Sequence, residues 1–183
     1  FQLCSGLKGD LVIPEGVETI GTFAFNKCSG FNGTLTLPST LKSIGKTSFQ
    51  YCSGLTGDLV IPEGVEKVED YTFYACSKLI GDLIIPDSVE SVGYCGFYGC
   101  SGFNGILKLS SNLKTIGEAA FYNCSSLTGS LNLPDKIESV GQFAFNSCRS
   151  LTGDLVIPNS ITTISRAAFQ DCKGLTGKLV LPD

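Results

Sequence analysis

The chain has 183 residues, 43% of them hydrophobic and 16% charged, and its 13 Lys and Arg against 17 Asp and Glu leave a net charge of −4. That balance excludes a polybasic nucleic-acid binder, and the regular spacing of aliphatic residues excludes a disordered acidic tail. Histidine, methionine and tryptophan are absent, which removes Ser-His-Asp and Cys-His nucleophiles and H-E-x-x-H metal sites, and no apolar run approaches the roughly 18 residues of a membrane helix.

A 24-residue unit recurs without insertion or deletion, so the chain holds 183/24, or about 7.6, copies of it; such a period marks a solenoid or array. In chain order, each unit opens with an apolar run closed by proline, as in Leu11-Val12-Ile13-Pro14. It predicts a short strand with a stop. Alternation puts Leu11 and Ile13 on the core face and Val12 on the solvent face. The outward slot reads Val12, Thr36, Val60, Ile84, Lys108, Asn132 and Val156. A turn follows (Glu15-Gly16), then a second short apolar pair, Val17 and Ile20, then Gly21, whose expected role is to permit a bend. Ala24-Phe25 then predicts a tight helical or 3-10 turn packed inward.

Two buried ladders are expected from this turn. Phenylalanine recurs at Phe25, Phe49, Phe73, Phe97, Phe121 and Phe145, and cysteine at Cys28, Cys52, Cys76, Cys100, Cys124 and Cys148, each 24 residues from the last, with only Cys95 off the beat. Every cysteine rung is equivalent, so no disulfide pairing is specified, and the ladder reads as buried free thiols bonded to backbone. A linear ladder without histidine does not close a zinc tetrahedron. One unit offers about six large apolar side chains at roughly 1.5–3 kcal/mol each, against about 1.5 kcal/mol of ordering per residue. A single unit therefore does not fold alone, and burial must come from stacked neighbours.

The motif A-F-x-x-C-x-x-L followed by I-P-x-x-V-x-x-I-G stands here as Ala24-Phe25, Cys28, Phe31, Leu37-Pro38, Leu41, Ile44 and Gly45, and returns in each copy. It resembles the BspA-like (Treponema-type) class of leucine-rich repeats over essentially the whole chain. The implied fold is an α/β repeat: a leucine-rich-repeat solenoid of 24-residue coils, each with one short strand, a second short strand and a 3-10 or helical turn. The family unit is usually one residue shorter, and the extra residue falls in the G-D-L segment (Gly57-Asp58-Leu59). The resulting L-T-G-x-L is also similar to plant-type repeats, so either strand is a candidate for the concave face. Residues 1–183 read as a single array, an uncapped excerpt of a longer chain. The resemblance implies a cell-surface or secreted, non-enzymatic module for adhesion and binding of host or cell-surface protein or glycan. The alternatives are self-association of stacked coils into a filament or surface layer and, for a cytoplasmic location, reduced cysteines.

Catalysis and cofactors are not expected. Gly45-Lys46-Thr47 looks like the end of a phosphate loop, but Thr40 stands where that loop needs glycine. Three features remain as candidate binding sites. Asp58 and Asp82 are successive acidic rungs, as are Glu63 and Asp87, and are weak calcium candidates; the competing reading is a solubilising edge. Tyr74, Tyr98 and Tyr122 share one phase, with Tyr51, Tyr71 and Tyr94 nearby; they form either a binding surface or padding beside the phenylalanines. The outward row Val12, Val60, Ile84 and Val156 is either a contact stripe or ordinary strand propensity. Asn32 and Asn123 begin N-x-S/T sequons, relevant only to a secreted eukaryotic chain.

Overall fold

The computed structural model describes residues 1–182. Counting each coil from its ladder cysteine, coils 1 to 7 span 4–27, 28–51, 52–75, 76–99, 100–123, 124–147 and 148–171, with coil 8 beginning at Cys172. Neighbouring coils meet along three lines: the outward strand, the second strand and the Ala-Phe turn. All strand pairing is parallel, in pieces of two residues. Leu11, Ile13, Leu59, Ile61, Leu83 and Ile85 point into the core and Val12, Val60 and Ile84 out of it, as the alternation requires.

The Ala-Phe turn is not helical; among the described residues there is no helix. In coil 1 the amides of Ala24, Asn26 and Cys28 bond back three residues, to Gly21, Phe23 and Phe25. The intervening amides of Phe23, Phe25 and Lys27 instead donate to Lys46, Ser48 and Gln50 of the next coil at 3.1, 2.8 and 2.7 Å. Half of the turn's donors are thus taken by the neighbour, which leaves no continuous intracoil ladder. Phe23 and Lys27 sit at φ 59° and 58°, and the same phases carry left-handed Thr47 and Tyr51, Tyr71 and Ala75, Ala119 and Asn123. A left-handed non-glycine residue costs about 1–2 kcal/mol. The intercoil hydrogen bonds and the burial of the intervening Phe and Ala offset it.

That turn ladder is continuous, with three such bonds at every interface from coils 1 and 2 to coils 6 and 7. Inside it, rings from Phe1 to Phe169 stack at centroid separations of 5.2–5.6 Å and within 9° of parallel, an offset geometry that aromatic pairs favour. The cysteines lie alongside as free thiols. Each thiol from Cys28 to Cys172 donates to the Phe carbonyl 27 residues earlier, at 2.9–3.1 Å. The thiol is therefore an intercoil donor as well as a small apolar filler.

The second-strand line is broken twice. Thr19–Ile20 pairs Ser43–Ile44, and Lys67–Val68, Ser91–Val92, Thr115–Ile116 and Ser139–Val140 form one run of four, but the two groups are not bonded to each other and Ile164 pairs nothing. The glycine phase explains both breaks. A Cβ on Gly45 would lie 2.5 Å from the Thr22 nitrogen, on Gly93 2.8 Å from that of Asp70, and on Gly141 2.5 Å from that of Glu118. Glycine is thus required by close approach of the preceding coil, where a bend was expected. Glu69 and Ser165 occupy this phase in coils 3 and 7, and their Cβ atoms force the coils apart at both breaks.

The outward-strand line follows a three-coil pattern. Leu11–Val12 pairs Leu35–Thr36, Leu83–Ile84 pairs Leu107–Lys108 and Leu155–Val156 pairs Leu179–Val180, all offset by 24 residues. At the interfaces between, contact slips to an offset of 22: Thr34 to Thr56, Gly57–Asp58 to Leu79–Ile80, Ile106 to Thr128, and Ser130 to Thr152. Gly9, Gly57, Gly81, Gly129 and Gly153 are left-handed, while Gly33, Gly105 and Gly177 are not. At Gly33 an added Cβ would lie 2.8 Å from the Asp10 nitrogen, so one sequence phase serves two backbone purposes.

Candidate functional site

The expected aliphatic stripe is not one flat sheet. Val12, Val60, Ile84 and Val156 are exposed, Val60 at 71%. Val12, Ile84 and Val156 lie in paired strands, whereas Leu59-Val60-Ile61 of coil 3 makes no backbone hydrogen bond to either neighbouring coil. Leu131-Asn132-Leu133, 72 residues later, is equally unbonded. A cleft opens beside each. The one between coils 3 and 4 has a volume of about 560 Å³ and the one between coils 6 and 7 about 590 Å³, inside the range of small-ligand sites. The first is walled by Val60, Ile84 and Pro86 and rimmed by Asp58, Glu63 and Asp82. The second carries Ser130, Asn132 and Asp154 in the corresponding places.

The acidic rungs reach forward one coil. Asp82 Oδ1 accepts from the Ile106 amide at 2.8 Å, as Asp10 does from Thr34 and Asp154 from Lys178, each at 2.7 Å. Asp87 Oδ1 accepts from the Ser111 amide at 2.8 Å and its hydroxyl at 3.0 Å. The Ser111 amide holds the Asp87 carboxyl below the usual range, and the Thr34 amide does the same for Asp10. Asp58 lies against Gly81 and Glu63 on the cleft rim. Among the described residues no three His, Cys, Asp or Glu side chains converge as a metal cage requires. Asp82 and Asp87 thus act as acceptors for backbone amides of the next coil, a use that phase alone did not distinguish from a solvated edge.

The tyrosines form one cluster on the turn ladder. Tyr74, Tyr98 and Tyr122 stack at 4.7 and 4.6 Å and are half-buried, while Tyr51 meets Tyr74 and Tyr94 meets Tyr71 edge-on at 5.2 and 5.0 Å. Both faces of Tyr98 and one face each of Tyr74 and Tyr122 are covered within the stack. Burial, then the Tyr51 hydroxyl, pushes the Tyr74 phenol up to about 12, and hydrogen bonding with Tyr71 raises Tyr94. At this phase Asn26 and Gln50 precede the stack, joined by a 2.8 Å side-chain hydrogen bond, and buried Asn146 follows it. Asn32, at the first sequon, accepts through Oδ1 from the Gly9 amide at 2.8 Å, and Asn123 at the second is an exposed left-handed residue.

The ladder thiols are not reactive groups. Burial pushes Cys52 and Cys100 up to about 12 and Cys76 and Cys124 well above the ordinary value. Cys95, the off-beat residue, is itself left-handed at φ 53° and buried. Sequence reasoning missed the clefts and the breaks. Their signals are the exceptions to the repeat: Glu69 and Ser165 in the glycine phase, and Phe-Asn-Gly at both 31–33 and 103–105, 72 residues apart.

Parallel coils of constant length around a stacked apolar spine define a leucine-rich-repeat solenoid. The chain belongs to the BspA type leucine rich repeat region family, which matches six copies over residues 1–81 and 55–176. Its structure is similar to a leucine-rich repeat protein from Bacteroides ovatus, with 28% identity and a TM-score of 0.82 over 94% of this chain and 45% of that one. It is similar in fold to the Treponema pallidum leucine rich repeat protein (22% identity, TM-score 0.61, 95% of this chain and 70% of that one). A leucine rich cell surface protein from Faecalibacterium prausnitzii also shares the fold (23% identity, TM-score 0.61, 98% and 61%). The chain thus spans less than half of the B. ovatus protein. No curated protein matches it. No helix among the described residues is long and apolar enough to cross a membrane.

Proposed function

We propose that this chain is a non-enzymatic protein-binding module, displayed at the cell surface or secreted, that adheres to a protein of a host or another cell. Membership in a leucine-rich-repeat family supports protein binding, and the fold shared with a protein described as a cell surface protein supports the location. The observation that carries the reading is the exposed aliphatic row held out from a continuous spine, with Val60 at 71% exposure and Ile84 at 45%. Such side chains are held in water at a cost unless a partner covers them. Light scattering across a dilution series, combined with binding to immobilised cell-surface protein, tests it. A monomer with saturable binding that V60K and I84K weaken is expected. Concentration-dependent polymers without such binding would establish the filament alternative.

A further inference from the structure

We infer that the cleft between coils 3 and 4 is a socket for an arginine side chain of the partner protein. The inference rests on the protein-binding reading above and specifies its chemistry. The unpaired segment of this cleft is flanked along the chain by the Gly57–Asp58 to Leu79–Ile80 pairing and the Lys67–Val68 to Ser91–Val92 pairing. The walls of the cleft, Val60, Ile84 and Pro86, match an alkyl stem; its rim, Asp58, Glu63 and Asp82, is acidic, and no Lys or Arg lines it.

The third observation is the backbone. Leu59 and Ile61 are 4% and 6% exposed, yet the segment they flank makes no backbone hydrogen bond. Its carbonyls accept no hydrogen bond from the neighbouring coils, and Leu59, Val60 and Ile61 line the cleft. A guanidinium brings five donors and no acceptor, is weakly hydrated and carries a stem that buries along apolar surface while its head stays with anions. Carbonyl acceptors, carboxylates and aliphatic walls together meet all three properties. The cleft between coils 6 and 7 has the same backbone but Ser130 and Asn132 on its lining and a single carboxylate, Asp154. It is an internal control of similar volume and weaker charge.

The test is an amide-resolved NMR titration of the intact chain with N-acetyl-arginine amide and, separately, with the neutral isostere N-acetyl-citrulline amide. Saturable shifts centred on Leu59, Val60, Ile61 and Ile84 are expected with arginine, with about tenfold weaker binding of citrulline and loss on adding salt. Val60→Lys should abolish those shifts, whereas Val12→Lys, at the same phase in a paired strand, should leave them. Shifts spread evenly over acidic rungs, equal binding of citrulline, indifference to Val60→Lys, or no binding would each overturn the socket. Because binding to immobilised cell-surface protein is measured separately, with Val156→Lys as an exposed variant outside this cleft, the module reading survives if only the socket fails.

Discussion

The turn ladder and the two strand ladders are built from the same 24-residue unit, yet the first is continuous and the others are interrupted. Three intercoil hydrogen bonds and one phenylalanine stack join every pair of neighbouring coils from 1 to 7 on the turn side, and each thiol from Cys52 to Cys172, at the first position of its coil, bonds the Phe carbonyl 27 residues earlier. On the strand sides, a single Glu69 or Ser165 ends the pairing. The difference is one of tolerance. The turn carries its contacts on side chains that interdigitate and on a backbone that accepts Thr, Tyr, Cys, Ala or Phe at left-handed φ. The second strand brings backbone against backbone, where a methyl group's width decides the outcome. Stability is thus concentrated on the turn side, and openness on the strand side.

Alkali should break the stable side with the largest effect. Buried Cys52 and Cys100 keep their protons up to about pH 12, whereas an ordinary thiol releases its proton near 9.0. Above that ordinary value the folded chain binds more protons than the unfolded one. The ladder's contribution is therefore intact below about pH 9 and lost as pH rises toward 12, at up to about 1.4 kcal/mol per pH unit for each fully buried thiol. Circular dichroism should show unfolding in this window, and Ellman titration at neutral pH should reach the half-buried Cys4 and Cys172 while the inner thiols react only in denaturant. Rapid reaction of all nine cysteines in the folded chain would contradict the ladder.

Phe97→Ala removes the middle of the stack and leaves a cavity between two rings, with an expected loss of about 3–5 kcal/mol in urea denaturation. The comparison predicts a smaller cost on the strand side. Gly117→Ala should cost about 1–3 kcal/mol, because its Cβ would lie 2.7 Å from the Gly93 carbonyl carbon. Glu69→Gly should do the reverse locally: the residue 69 amide gains hydrogen-exchange protection by bonding Ile44, as Gly45 bonds Ile20 and Gly93 bonds Val68. An unprotected amide in that variant would show that something other than the Cβ holds coils 2 and 3 apart.

The family, the coil length, the inward Leu and Ile, the outward Val60 and the phenylalanine and cysteine ladders were all legible in the residues, because each depends on a side chain's own phase and polarity. The helical turn was misread from composition, since Ala-Phe is compatible with a helix and nothing in one coil shows that its next neighbour takes every second amide. The tyrosine phase was legible, but not that both faces of Tyr98 are covered within the stack. The carboxylate rungs were visible, but not the amides they accept.

The sequence by itself determined a repeating spine, since burying the same side chains every 24 residues has one solution, stacking. Only the tertiary structure decided where neighbouring backbones stay in register, slip by two residues or part into a cleft. Those choices depend on how closely one coil can approach the next, a distance set by pairs of residues a full turn apart.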